Sequence, residues 1–328
     1  MTNASFLNNA VGTVAALAVA FVLLHRYRAA PRTRRLPGYA YAGAVILFAG
    51  QYLTLFGVTL VAVYFTPLAW TGYILWIDGA IYALRGRSLL KNYRAEFAWL
   101  ALCSIPLWLI FEAYNLRLAN WIYVGLPQNW VARFLGYGWA FATIWPAIFE
   151  TASLLRALDA APSEEPKVGP IRTPPNRSVA TIVGLAGAVF VTVPLLVPAE
   201  TAPYLFGSVW LGFILLLEPI NLRTGRESLG RDWLDGNSSR LKSLLWAGMI
   251  CGIFWEFWNY WAAARWSYTV PILPEYRIFA MPLLGYAGFP AFAVECFAMF
   301  AFVLPYLERI SQASHRNSRL DWETVLRL

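Results

Sequence analysis

Long apolar runs, broken by short polar and basic stretches, dominate the chain. Read with the need for about 20 apolar residues per crossing, the pattern predicts nine membrane helices. They cover roughly 6–25, 39–65, 68–84, 96–116, 135–155, 178–198, 204–222, 243–261 and 283–306. The first run lacks a small-residue cleavage site and is read as an uncleaved helix. The fold class is therefore all-α, a polytopic helix bundle.

Basic residues orient it. Arginines and lysines cluster after the first, third, fifth, seventh and ninth runs, beginning at Arg26, Arg85, Arg156, Arg223 and Arg309. The opposite side carries only Arg117, Arg133, Arg265 and Arg277. The positive-inside rule then puts the N-terminus outside and the C-terminus in the cytoplasm, in the cell (inner) membrane.

The chain also repeats itself. Trp108 to Pro127 (WLIFEAYNLRLANWIYVGLP) matches Gly252 to Pro271 (GIFWEFWNYWAAARWSYTVP) with one single-residue slip. Glu112, Asn115, Trp121, Tyr123 and Pro127 pair with Glu256, Asn259, Trp266, Tyr268 and Pro271. Trp70, Gly72, Ile74, Leu75 and Asp78 pair with Trp210, Gly212, Ile214, Leu215 and Glu218. Each unit holds four helices, an even number, so both have the same orientation and meet about an axis along the membrane normal. The expected organisation is an N-terminal helix and basic loop (1–36), repeat 1 (37–157), a cytoplasmic linker rich in Pro and charge (158–177), repeat 2 (178–307) and a cytoplasmic tail (308–328). The end of the tail, LDWETVLRL, is either a surface-lying amphipathic segment or a frayed helix.

Composition agrees with the bilayer as partner. The chain is 59% hydrophobic and 13% charged, against about a quarter charged in soluble domains. The net charge of +8 lies in loops on one side, which topology explains, so no nucleic-acid partner is expected. Cys103, Cys251 and Cys296 have no CxxC spacing and read as inert helix residues. His25 and His315 both fall in predicted loops. No metal or other cofactor is expected.

Six acids lie inside predicted helices: Asp78, Glu112, Glu150, Glu218, Glu256 and Glu295. A carboxylate at that depth costs on the order of 3 kcal/mol or more unless paired, protonated or hydrated. Glu112 and Glu256, with Asn115 and Asn259 three residues on, are the candidate catalytic set, each amide being placed to bond its carboxyl. If the repeats face one another, one carboxyl serves as acid and the other as base; the competing role is polar glue between helices. Trp121, Tyr123, Trp266 and Tyr268 are candidate ligand contacts or interfacial anchors. Asp78 and Glu218, each followed by Gly-Arg, read as local ion pairs with Arg87 and Arg226 or as site residues. Glu150 and Glu295 sit one helical turn apart in the alignment and complete the ligand-facing candidates. Arg117 and Arg265, beside the repeated element, are placed to balance the carboxylates, to meet an anionic head group or to snorkel.

The segment from Glu112 to Phe149 resembles the small integral-membrane carotenoid cyclases of the lycopene-cyclase type, and distantly the related carotenoid hydratases. The likeness rests on a membrane acid followed by Trp-x-Tyr, nine residues on from Glu112 and ten from Glu256. Met281-Pro282-Leu283-Leu284-Gly285 stands where that family carries Leu-Pro-(Leu/Ile)-Glu-Glu, so Leu284 and Gly285 replace its paired glutamates. The resemblance implies a tandem-repeat bundle that binds an isoprenoid or carotenoid-like lipophile, with acid–base chemistry at a carbon–carbon double bond. A proton-coupled transporter and a non-catalytic membrane scaffold are the other roles open to this residue pattern.

Overall fold

The computed structural model describes residues 3–159, 176–314 and 325. The expected linker and the amphipathic chain end lie outside the described residues, apart from their margins and Val325.

The apolar runs become helices close to where hydropathy places them. In order these are α1 (Asn3–Ala29), α2 (Gly38–Leu55), the short α3 (Thr59–Val63), α4 (Phe65–Arg85), the single turn α5 (Leu89–Asn92) and α6 (Arg94–Leu118). Strand β1 (Trp121–Val124) leads into α7 (Trp130–Ala142) and α8 (Ile144–Asp159). The second part runs α9 (Arg177–Leu196), a 3-10 turn (Ala202–Leu205), α10 (Phe206–Arg223), α11 (Leu229–Leu234) and α12 (Ser239–Trp261). It closes with β2 (Arg265–Tyr268), β3 (Arg277–Ile278), β4 (Met281–Pro282), a second 3-10 turn (Leu283–Ala287) and α13 (Gly288–Ser314). The fold is mainly helical. Among the described residues five stretches are long and apolar enough to cross a membrane: Leu7–Ala29, Arg94–Leu118, Arg177–Leu196, Ala202–Arg223 and Leu283–Ile310.

Three expectations need correction. The run at 39–65 is not one helix, because α2 stops at Leu55, where Gly57 turns the chain with φ 75°. The run at 135–155 is broken at Thr143, between α7 and α8. Pro146 has no amide hydrogen to offer across that break. At the break the Thr143 amide turns back to Ala140 O and Phe141 O, and hydroxyls join it: Thr143 Oγ1 donates to Ala140 O over 2.7 Å, and Ser104 Oγ donates to Phe141 O. His25, expected in a loop, lies within α1 and stacks on Phe21.

Helices α4, α8, α12, α13 and α10 pack one against the next through the centre. Outside them α2 lies on α4, α9 on α10 and α1 on α12. Glycines set the closest crossings. A Cβ on Gly43 would stand 2.6 Å from Gly72 O, and one on Gly248 would stand 2.2 Å from Phe289 O. Gly248 and Gly252 form a small-xxx-small pair, which lets helix backbones approach closely in an apolar solvent. Trp70, Trp145, Phe65, Phe111, Phe149, Phe297 and Phe300 fill the interior. Leu17, Phe21, Phe48, Leu116, Ile182 and Leu196 stand outward and exposed, the inverse of a water-facing surface.

Candidate functional site

The site begins with two asparagines. Helix α6 ends at Ala119 in the left-handed region (φ 50°), its amide bonded to Asn115 O over 2.8 Å. The Asn115 side chain then takes up the emerging backbone. Its Oδ1 accepts from the amides of Asn120 (2.8 Å) and Trp121 (3.2 Å), and its Nδ2 donates to Trp121 O (2.8 Å). Asn259 does the same after α12, accepting from the Trp266 amide and donating to Trp266 O, both over 2.9 Å. The amides therefore do not hold the carboxyls, as the helical spacing led one to expect. They hold the strands.

The strands in turn hold the carboxyls. Tyr123 donates its hydroxyl to Glu112 Oε1 over 2.6 Å, joined by the indoles of Trp108 (2.8 Å) and Trp121 (3.3 Å). Tyr268 donates to Glu256 Oε1 over 2.7 Å, with the Trp266 indole at 3.4 Å. Trp108 is one helical turn before Glu112, whereas the matching place before Glu256 is Gly252, whose missing side chain makes room for the Phe289 ring. Glu256 thus has one donor fewer. It is fully buried, and its Oε2 has no hydrogen-bond partner. Burial pushes the Tyr123 and Tyr268 phenols well above their ordinary range, and the adjoining carboxylates push them further. Both stay protonated and serve as donors.

Strands β1 and β2 pair with each other, antiparallel, with Trp121 opposite Tyr268 and Tyr123 opposite Trp266. Gly125 allows the approach: a Cβ there would stand 2.0 Å from Ala263 O. Beneath this pair is a cavity of ≈ 180 Å³. Its walls include Trp70, Trp108, Trp210, Trp255, Phe289 and Phe292, together with Trp121, Tyr123, Trp266 and Tyr268. The inner face of α7, including Gly136, Tyr137 and Ala140, closes one flank, and the break at Thr143 lies beside it, next to lining residues Phe141 and Ile144.

The four aromatic candidates therefore meet at one cavity. The four residues expected to be catalytic stand behind it. Glu112 and Glu256 do not line the cavity, and each is bonded by donors from its own segment. Trp70 and Trp210, paired in the alignment of the halves, line it too, and so do Trp108 and Trp255, beside the acids in sequence. A tryptophan recurring near each acid was the available signal for them.

The other acids go elsewhere. Asp78 accepts from Tyr39 (2.5 Å), Ser88 Oγ (2.8 Å) and the Leu90 amide (2.8 Å). Glu218 accepts from Ser228 Oγ (2.8 Å) and the Gly230 amide (3.0 Å). Both satisfy the open amides at the start of a short helix, α5 or α11. The expected ion pairs give way to these caps: Arg226 donates to Phe302 O and lies over the Phe302 ring. Glu150, on α8, is buried with its Oε1 unpartnered. Glu295 is fully buried with both oxygens unpartnered. Neither Glu150 nor Glu295 lines the cavity. Arg117 balances no carboxylate and donates instead to Val197 O. Among the described residues no cluster of three or more His, Cys, Asp or Glu could hold a metal ion.

No protein-family model matches the chain, and no curated protein and no solved structure matches it either.

Proposed function

We propose that this chain binds a lipophilic, isoprenoid- or carotenoid-like molecule in the aromatic cavity, as a nine-span inner-membrane protein with its N-terminus outside. In this reading two four-helix repeats follow α1. The like roles of Asn115 and Asn259, of Tyr123 and Tyr268, and of Asp78 and Glu218 support the duplication. One observation carries the binding reading: matched aromatic residues from both parts of the chain converge on a single cavity under β1 and β2. Flat apolar faces suit a conjugated or branched hydrocarbon chain.

The accompanying chemistry is acid–base: one glutamate–tyrosine pair delivers a proton to a carbon–carbon double bond, and the other takes a proton from a carbon beside the resulting cation, so that the double bond shifts or a ring closes with no net change in protons. Each tyrosine hydroxyl connects the cavity wall to a glutamate behind it, and the surrounding rings stabilise developing positive charge. The test is to express the chain with and without Glu112→Gln and Glu256→Gln and to analyse lipid extracts and the lipids that copurify with the protein. A hydrocarbon copurifying with wild type and lost in Trp255→Ala supports binding; a changed extract in the glutamine variants supports catalysis. Identical extracts and no bound lipophile in any sample would sink the reading and leave a scaffold.

A proton-coupled carrier is the second reading. It is favoured by the interrupted α7–α8 segment beside the cavity, since broken helices mark transporter sites, and by the buried Glu150 and Glu295. Proton flux in vesicles, abolished by Glu295→Gln, is its test.

A further inference from the structure

The mouth of the cavity has a charge that its depth lacks. Arg133, in the first turn of α7, and Arg265, the first residue of β2, both line it. Arg265 is exposed, so the cavity reaches the outside beside this residue. Arg133 is half-buried, and its Nε and Nη2 donate to Pro127 O over 3.1 and 2.9 Å. That carbonyl fixes the guanidinium but leaves its charge in place. Arg265 reaches Tyr260 O over 3.4 Å, another neutral partner.

Neither arginine belongs to an ion pair among the described residues, where the pairs are Arg26–Asp159, Arg240–Glu227 and Arg240–Asp232. The nearest acids in the site, Glu112 and Glu256, are engaged by phenol and indole donors behind the wall. Two cations thus border a cavity whose inner surface is Trp70, Trp255 and Phe292. Arginine presents a planar fork of donors that suits phosphate or carboxylate oxygens.

We propose that the ligand is an anionic amphiphile, with its apolar chain against the aromatic walls and its head group at Arg133 and Arg265. This rests on the binding reading above and adds the charge of the ligand to it. The head group comes either from a separate amphiphile, such as a prenyl phosphate, or from an anionic lipid of the bilayer.

The experiment uses the full chain in phosphatidylcholine nanodiscs, with empty nanodiscs to correct for partitioning. Affinities for farnesyl phosphate, farnesol and inorganic phosphate are measured by thermophoresis. Farnesyl phosphate is expected to bind about tenfold more tightly than farnesol, as one charge-assisted contact of about 1.4 kcal/mol implies. Inorganic phosphate, lacking the chain, is expected to bind at least about tenfold more weakly than the ester. Arg133→Gln and Arg265→Gln should each erase the preference and leave farnesol binding unchanged, which also shows that the variants are folded. Arg133→Lys and Arg265→Lys should restore part of it.

Equal affinity for ester and alcohol in the wild type overturns the proposal while leaving the binding reading intact. So does a preference that survives in both glutamine variants, which would place the charge contact outside the cavity. If neither compound binds, the binding reading itself fails. Adding phosphatidylglycerol separates the sources: displacement of farnesyl phosphate assigns the site to a bilayer lipid, and undisturbed binding assigns it to a separate amphiphile. Either result supports the head-group site.

Discussion

Trp121 stands directly opposite Tyr268 in the antiparallel pair of β1 and β2. Each belongs to a different part of the chain, and each reaches back to the glutamate of its own part. The two halves of the cavity wall are joined by backbone, and each acid is held by donors from its own part of the chain.

That arrangement makes the two tyrosines unequal. Tyr123→Phe leaves Glu112 with the Trp108 and Trp121 indoles. Tyr268→Phe leaves the fully buried Glu256 with Trp266 alone, at 3.4 Å. A buried acceptor stripped of its best donor costs about 1–3 kcal/mol. Tyr268→Phe is expected to fall in that range and Tyr123→Phe well below it, measured by thermal unfolding in detergent. Equal losses would contradict the asymmetry that Gly252 sets up.

Asn259→Ala removes both bonds to Trp266. The expected loss is about 2 kcal/mol, from two bonds worth roughly 1 kcal/mol each. A local readout separates this from general damage. Amide exchange should accelerate over 265–268 and, through the paired strand, over 121–124, with α4 and α8 unchanged. Uniform acceleration would mean that Asn259 supports the whole bundle and does not act as a strand anchor.

Gly248→Ala drives a methyl group into Phe289 O, a backbone atom that cannot rotate aside. Helices α12 and α13 must separate, and overpacking of this kind costs about 1–3 kcal/mol. Since Phe289 and Phe292 line the cavity, ligand affinity should fall as well. Gly184→Ala in α9 is the control: nothing lies within 4 Å of the added methyl group. It should be neutral or stabilising by up to about 1 kcal/mol. Similar effects at both positions would refute the close crossing.

Asp78 accepts from Tyr39, Ser88 Oγ and the Leu90 amide. Asp78→Asn turns an NH₂ toward these donors and should cost about 1–3 kcal/mol in unfolding experiments. A change below about 0.5 kcal/mol would mean that Asp78 does not cap α5.

The sequence by itself determined the helical class, the rough placement of most helices and the Glu–Asn–Trp–Tyr recurrence. These are local or additive properties, set by the transfer of neighbouring side chains out of water, and a window along the chain contains them. Only the tertiary structure decided which donor meets which acid. It turned Asn115 and Asn259 from partners of the carboxyls into anchors of the strands. It made Asp78 and Glu218 caps for α5 and α11. It also paired β1 with β2 and broke the helix at Thr143, where Ser104 of α6 joins the Thr143 amide at Phe141 O. A hydrogen bond depends on distance and direction between groups far apart in the chain, and residue order specifies those only after the helices have packed.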